Sequence, residues 1–416
     1  MKKFIVVVLD GLGIGAMEDV SEVRIQDVGA CTLGSILHSR PELRLPNLER
    51  LGLMNALGKE SPNMRFSSSA IWGRASLMHY GADTFWGHQE IMGTLPKQPK
   101  REPFSLVADE VAEILRSAGC KTEFLYPDPS KRSLRILLVE DALTVGDNLE
   151  ADSGQNYNVT AALDRIAFEK VLEIGRTVRR CVEVSRVICF GNPKIGLERL
   201  LDSIEIKNGD YVGVSSTRSG VYGDGYRCIH LGYGVDPSTQ IPAILAEKNI
   251  PVVLFGKVAD IVENADGKSV SWIDTEEVLA MTLGAFEALD RGFICTNVQE
   301  TDLAGHMQHA EQYATVLEKA DRWIGHLMSC LCGDDVLLIM ADHGNDPAVG
   351  HSHHTREKVP ILVYSPRLRQ AGEVFLGERS TLSDVGATVA AYFGTRMPEN
   401  PYAEPMSMLV SEKEND

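Results

Sequence analysis

No stretch of the 416 residues approaches the ~18 consecutive apolar positions of a membrane-spanning helix. The first apolar run, in MKKFIVVVLDG, stops at Asp10. It is too short for the hydrophobic region of a secretory signal and is expected to be a buried strand. Basic charge is scarce: 41 Lys and Arg face 58 Asp and Glu, for a net charge of −17. That balance argues against a nucleic-acid partner, whose phosphates need clustered cations, and no membrane partner is expected either. Excess carboxylates are instead the groups that hold hard divalent ions. The eight cysteines (31, 120, 181, 189, 228, 295, 330 and 332) contain no CxxC pair and no framework spacing. They read as reduced, inert core thiols and point to the cytoplasm. The Gly-rich DGLGIG lacks the GxGxxG spacing, and its leading Asp would repel a pyrophosphate. Those glycines are expected to permit a close turn around whatever Asp10 binds. Internal repeats and low-complexity tracts are absent.

Present instead are short apolar runs that end abruptly in polar segments: FIVVVLDG, PVVLFGK, FICTNVQETD and DVLLIMADHG. Runs of this kind form strands buried on both faces, as in a parallel sheet. Between them lie helical patterns. In EQYATVLEKADRWIGHLM, Tyr313, Val316, Leu317, Ala320, Ile324 and Leu327 make one apolar stripe. Alternation of this kind predicts an α/β core with a mostly parallel sheet flanked by helices. Ligands of such sheets sit beyond the carboxyl ends of the strands, where Asp10, Lys257, Asp302, Asp342 and His343 fall. Two Pro-Lys pairs in GTLPKQPKREP mark a linker, and the Gly-rich RSGVYGDGYR reads as its return. The expected organisation is a core of residues 1–98 and 226–416 interrupted by a smaller inserted α/β domain, 99–225.

The densest chemistry lies in ADHGNDPAVGHSHHTRE, where four of the chain's eleven histidines and two aspartates share seventeen residues. A metal site, a base cluster and a polar loop all fit that composition. Asp302 and His306, in TDLAGHMQH, are four apart and would share a helical face, as a ligand pair or as a cap and a surface His. His309 and His326 have no such pairing and read as surface or packing residues. Asp10 is a turn residue or a ligand. Thr84, in GADTFWGHQE, is an N-cap or an activated hydroxyl, because a Thr is a poor nucleophile without a base or metal. Taken together, Asp10, Thr84, Asp302, His306, Asp342, His343 and His354 form a mixed carboxylate and imidazole set. Such a set suits Mn²⁺ or Zn²⁺ better than Ca²⁺. It is large enough for two ions, and a two-metal site ~4 Å across clamps both oxygens of an in-line phosphoryl displacement.

Six blocks in one order carry a family resemblance: LDGLGIGAMED, LPNLERLGL, GADTFWGHQEIMG, VVLFGKVADI, MADHGNDP with HTREKVPILVYSP, and TLSDVGATVAAYFG. The chain resembles the phosphopentomutases of the alkaline-phosphatase superfamily, which also holds the cofactor-independent phosphoglycerate mutases. The resemblance implies an alkaline-phosphatase-like α/β core with an inserted cap. It implies two divalent ions, Mn²⁺ foremost, one held by Asp10, Thr84, Asp342 and His343. The other would be held by Asp302, His306 and His354, although family members usually carry one more residue before the Gly of DxxGH. It further implies a phosphothreonine at Thr84, primed by a sugar bisphosphate, and exchange of phosphate between ribose 1-phosphate and ribose 5-phosphate. Lys257 would counter the substrate phosphate, and His351 and His353 would be loop residues or lie behind the ligands. The inserted domain would hold the sugar and exclude water.

That domain departs from the family. Asp152 in EADSGQNY is expected to face the sugar, but Phe190 stands where phosphopentomutases have an Arg that meets the sugar phosphate. An Arg- and His-containing segment is also replaced by SSTRSGVYGDGYRCIHLGYG, which offers Arg218, Arg227 and His230 in its place. The implied partner is a small phosphosugar, with a monomer and a homodimer both open. The alternatives are a metal-dependent phosphatase on the same core, discharging phosphothreonine to water, and a non-catalytic metal- or phosphosugar-binding protein.

Overall fold

A computed structural model describes residues 2–150, 153–397 and 400–410. It divides the chain into two compact units, one holding the chain up to Pro96 and from Asp236 onward, the other Lys97–Val235. The first unit opens with β1 (Lys2–Leu9) and β2 (Ile71–Ala75). The second contributes β3 (Thr122–Leu125), β4 (Ile136–Val139), β5 (Leu143–Asp147) and β6 (Asn156–Ala162). It continues with β7 (Arg186–Asn192), β8 (Ile204–Lys207), β9 (Tyr211–Val214) and β10 (Arg227–Gly232). Back in the first unit come β11 (Val252–Phe255), β12 (Lys268–Val270) and β13 (Arg291–Val298). Last are β14 (Val336–Met340), β15 (Val359–Tyr364) and β16 (Val374–Arg379).

The first unit's sheet has the order β12-β11-β13-β1-β14-β15-β2-β16. Strands β12, β11, β13, β1 and β14 run parallel, and β15 is antiparallel to both neighbours. The four apolar runs picked out above are β11, β13, β1 and β14, which lie side by side. Phe4 to Leu9 are wholly buried, as a central strand covered on both faces requires. Adjacency is what matters for the site. Because these four strands point the same way, the residues that follow them, Lys257, Asp302, Asp10 and Asp342, arrive at one edge of the sheet. The helix Ala310–Cys330 buries the predicted stripe, from Tyr313 to Leu327, in the first unit's core.

The second unit has a six-stranded sheet, β10-β7-β6-β5-β4-β3, and a β8–β9 hairpin. The amphipathic helices Phe104–Ser117 and Phe168–Cys181 share one apolar core with Tyr157, Val159, Val187 and Cys189 of the sheet. Asp147 ties the helix to the hairpin, accepting hydrogen bonds from the N–H groups of Phe104 (2.9 Å) and Val212 (2.8 Å).

Two expectations change. The stretch RSGVYGDGYR is not the return linker: β10 pairs antiparallel with β7, so the crossing falls after Val235 rather than after residue 225. Glycine spacing reports where a chain can turn, not which sheet accepts the next strand. The eight thiols are all free, but only Cys120, Cys189 and Cys295 are fully buried, while Cys330 and Cys332 are exposed. Among the described residues no helix is long and apolar enough to cross a membrane.

Candidate metal centre

Asp10 follows β1, Asp342 and His343 follow β14, and all three are fully buried. Asp302 and His306 lie one turn apart on the short helix Glu300–His306, as their spacing predicts. Thr84 is the first residue of the helix Thr84–Ile91, with Asp83 as its N-cap. Two close approaches set these parts against each other. A Cβ on Gly87 would stand 2.6 Å from the Asp342 carbonyl oxygen, so only glycine lets the Thr84 helix lie this near. A Cβ on Gly305 would stand 2.5 Å from Asn345, which fixes why that residue of DxxGH carries no side chain.

The result is two overlapping ligand triads, Asp10–Asp342–His343 and Asp302–His343–His354, with His343 common to both. His343 Nε2 is 3.4 Å from Asp10 Oδ1 and 3.3 Å from Asp342 Oδ2. His354 Nε2 is 3.3 Å from Asp302 Oδ1 and 3.0 Å from His306 Nε2. His306 Nε2 is in turn 3.4 Å from Asp302 Oδ2. The Thr84 hydroxyl donates to Asp342 Oδ2 at 2.8 Å. Each metal-ligand candidate named from the sequence is therefore in one cluster.

The donors fit cations. Asp10 Oδ1 and His343 Nε2 are buried and have no hydrogen-bond partner. With His343 Nδ1 on the Gly344 carbonyl at 3.0 Å, its Nε2 presents a lone pair. Two lone pairs facing each other across a buried gap are satisfied by a positive ion between them. His306 is oriented in the same manner, Nδ1 on the Ser352 carbonyl at 2.7 Å. Burial pushes His343 and His354 below the usual imidazole range, toward the neutral form that ligation uses.

Charge points the same way. Three carboxylates share one ammonium, that of Lys257, which lies 2.8 Å from Asp302 Oδ2 and 3.0 Å from Asp10 Oδ2. Burial raises every carboxyl here. At Asp302 it is outweighed by hydrogen bonds from His306 and His354 and by the Lys257 charge, and at Asp342 by His343 and His88. Asp10 takes the remaining cost, pushed up to about 7 by burial and then by the charge of Asp342. Burial alone would lower Lys257, but Asp10 and Asp302 hold it protonated.

Several members of this site escaped the sequence reading. His88 is fully buried, its Nδ1 2.9 Å from the Thr84 carbonyl and 3.2 Å from Asp342 Oδ2. It lies four residues after Thr84, so the face-sharing argument that paired Asp302 with His306 applies to it equally. Asn297 donates to Asp10 Oδ2 at 3.0 Å, and Asn345 to Asp302 Oδ1 at 2.8 Å. Arg356 of HTRE reaches the carbonyls of Leu77 (3.0 Å), His79 (2.7 Å) and Gly81 (2.6 Å) and pairs with Asp19. It thereby stitches down the segment leading to Thr84. Arg356→Met should lower unfolding free energy in urea by about 3 kcal/mol, because the buried carbonyls and Asp19 are left without their cation.

His351 Nε2 lies 3.1 Å from Asp27 Oδ1, which also holds the Arg356 N–H through Oδ2, so this histidine braces the loop carrying His354. His353 is exposed, its N–H against His351 Nδ1. His309 caps the helix Ala310–Cys330. In the second unit, Arg218 pairs with Glu205 at 3.0 Å and Arg227 with Glu169 at 3.3 Å. His230 is exposed on β10 opposite Ile188, and Phe190 is 2% exposed. Asp152 lies outside the described residues.

The sequence profile of the metalloenzyme superfamily matches residues 2–397. A phosphopentomutase of Symbiobacterium thermophilum is 30% identical over 415 residues, spanning 97% of each chain. One from Acetivibrio thermocellus is 30% identical over 401 residues, spanning 95% of this chain and 96% of the other. A third, from an Anaeromyxobacter species, is 30% identical over 402 residues with the same coverage. The match extends through the inserted unit as well as the metal centre, and the chain belongs to the phosphopentomutase family of the metalloenzyme superfamily.

Proposed function

We propose that this protein is a two-metal mutase that moves a phosphoryl group between the 1- and 5-positions of ribose, or of a related phosphosugar, through a phosphothreonine. One observation carries the reading: the Thr84 hydroxyl, at a helix N-terminus, lies 2.8 Å from a carboxylate of two joined ligand triads. Asp10, Thr84, Asp342 and His343 would hold one ion, and Asp302, His306 and His354 the other. The carboxylate and imidazole mixture favours Mn²⁺. Bound there, the ions supply Lewis-acid stabilisation of charge on the phosphoryl oxygens and on the Thr84 oxygen.

The chain's own groups complete the task. Asp342 takes the Thr84 hydroxyl hydrogen bond and so aims the oxygen. The positive end of the Thr84–Ile91 helix adds to the potential that a phosphoryl group meets. Lys257 brings the ammonium that would counter the substrate phosphate. A sugar bisphosphate would prime Thr84. The substrate-facing residues of the inserted unit would be Asp152, Arg218, Arg227 and His230, with Arg218 and Arg227 each resting against a carboxylate, Glu205 and Glu169. Eight unpaired thiols support a cytoplasmic setting.

The test is phosphorus NMR of the Mn²⁺-loaded protein with ribose 1-phosphate and a trace of sugar bisphosphate. Ribose 5-phosphate should appear with no build-up of inorganic phosphate; inorganic phosphate alone would make the protein a hydrolase, and no change would make it a binding protein. Gly87→Ala should bind the same number of ions yet turn over about 10²-fold more slowly, since its Cβ displaces the helix that carries Thr84.

A further inference from the structure

One face of the second unit's sheet carries an anomaly. Along β6, Tyr157, Val159 and Ala161 point into the core shared with the two long helices. Asn156, Asn158 and Thr160 alternate with them and so point to the other face. That face is covered too: each of the three is 1% exposed. Yet Asn156 Nδ2 and Oδ1, Asn158 Nδ2 and Thr160 Oγ1 have no hydrogen-bond partner. Only Asn158 Oδ1 is engaged, accepting from Asn148 Nδ2 at 2.9 Å. A buried polar group left unpaired costs about 1–3 kcal/mol, so a row of them is not chosen for stability.

The surroundings say what the row could meet. To one side Leu138, Ala162, Leu197, Leu200 and Val214 form a small apolar cluster, and to the other Ile188, Phe190 and Val221 form a second. The polar row runs between them. Its groups are carboxamides and a hydroxyl, donors and acceptors without charge, spaced roughly 6–7 Å apart along the strand. Hydroxyls, each donor and acceptor at once, match that set in kind; a phosphate, an acceptor with charge, does not.

Residues 220–225 form the cover. Val221 packs on Ile188 and Phe190 of β7, and Tyr222 donates to Glu150, just beyond β5, at 2.5 Å. Strand β6 lies between β7 and β5, so the segment bridges over the start of β6. Gly220 and Gly225 bracket it, both left-handed at φ +72° and +91°, where a side chain would be strained, and Asn192 Nδ2 donates to the Val221 and Asp224 carbonyls at 3.1 and 3.4 Å.

We infer that Asn156, Asn158 and Thr160 form a sugar-hydroxyl subsite beneath residues 220–225, reading the uncharged part of a polyhydroxylated ligand. This rests on the phosphosugar reading above and deepens it: the inserted unit selects hydroxyls, consistent with Phe190 standing where a cation was expected.

Thr160→Val and Asn156→Leu in the full chain test it. Removing an unpaired buried group should leave the urea midpoint unchanged or raise it. The KM for ribose 1-phosphate should rise about five- to tenfold with kcat retained. Millimolar D-ribose should give a saturation-transfer NMR signal with the wild type and lose it in both variants. Destabilised variants with unchanged KM, or a D-ribose signal that is absent or survives in both, would overturn the subsite and make the row structural. If the wild type turns over no phosphosugar, the mutase reading fails by itself, and the D-ribose arm still decides the row.

Discussion

Thr84→Ala should take up no phosphate from a sugar bisphosphate, whereas the wild type gains one phosphoryl group by intact mass. Mutase turnover should fall by about 10⁴-fold or more, the order seen when a nucleophile is deleted from a cooperating site. The reason is geometric. Thr84 is the only hydroxyl that hydrogen-bonds Asp342 among the described residues, and alanine offers no oxygen to the transferring phosphoryl. The alanine side chain fits the same helix position, so the fold and the ligand triads stay in place. Equal labelling of the alanine variant would remove Thr84 from the mechanism. The same experiment on Gly87→Ala separates loss of the nucleophile from its misplacement, since that variant should still label, only slowly.

Metal content gives the second large effect. His343 would hold the Asp10-side ion, so His343→Ala should reduce bound Mn²⁺ from two ions per chain to one after dialysis, measured by elemental mass spectrometry. His306→Ala touches only the Asp302 side and should leave one ion. A His343 variant that keeps two ions would remove His343 from the ligand set. Chelation of the wild type should also lower its melting temperature, because Asp10, Asp302 and Asp342 are then left with the single ammonium of Lys257. Adding Mn²⁺ back should restore it in proportion to ln(1 + [Mn²⁺]/Kd), as for any ligand that binds only the native state.

These outcomes also measure how much could be read in the residues alone. The four buried strands were legible because a strand covered on both faces must be apolar throughout, and FIVVVL or VLLIM is short, bounded and rich in branched residues. Asp302 and His306 were legible because helical spacing turns sequence distance into a shared face. Arg356 and His88 were not recognised, although His88 obeys that same spacing with Thr84. Its signal lay in a helix start that composition alone reads as a cap.

Chain order could say which ligands exist and roughly where each strand ends. It could not say that β11, β13, β1 and β14 would be neighbours, since pairing in a parallel sheet is set by crossovers between distant segments. Nor could it show that His343 lies close to both Asp10 and His354, that Lys257 settles between Asp10 and Asp302, or that β10 joins the inserted sheet. The polar row of β6 is the sharpest instance. NYNVTAA alternates as any half-exposed strand does. Only the folded chain covers both faces, and so turns three ordinary polar residues into an unsatisfied, ligand-ready row.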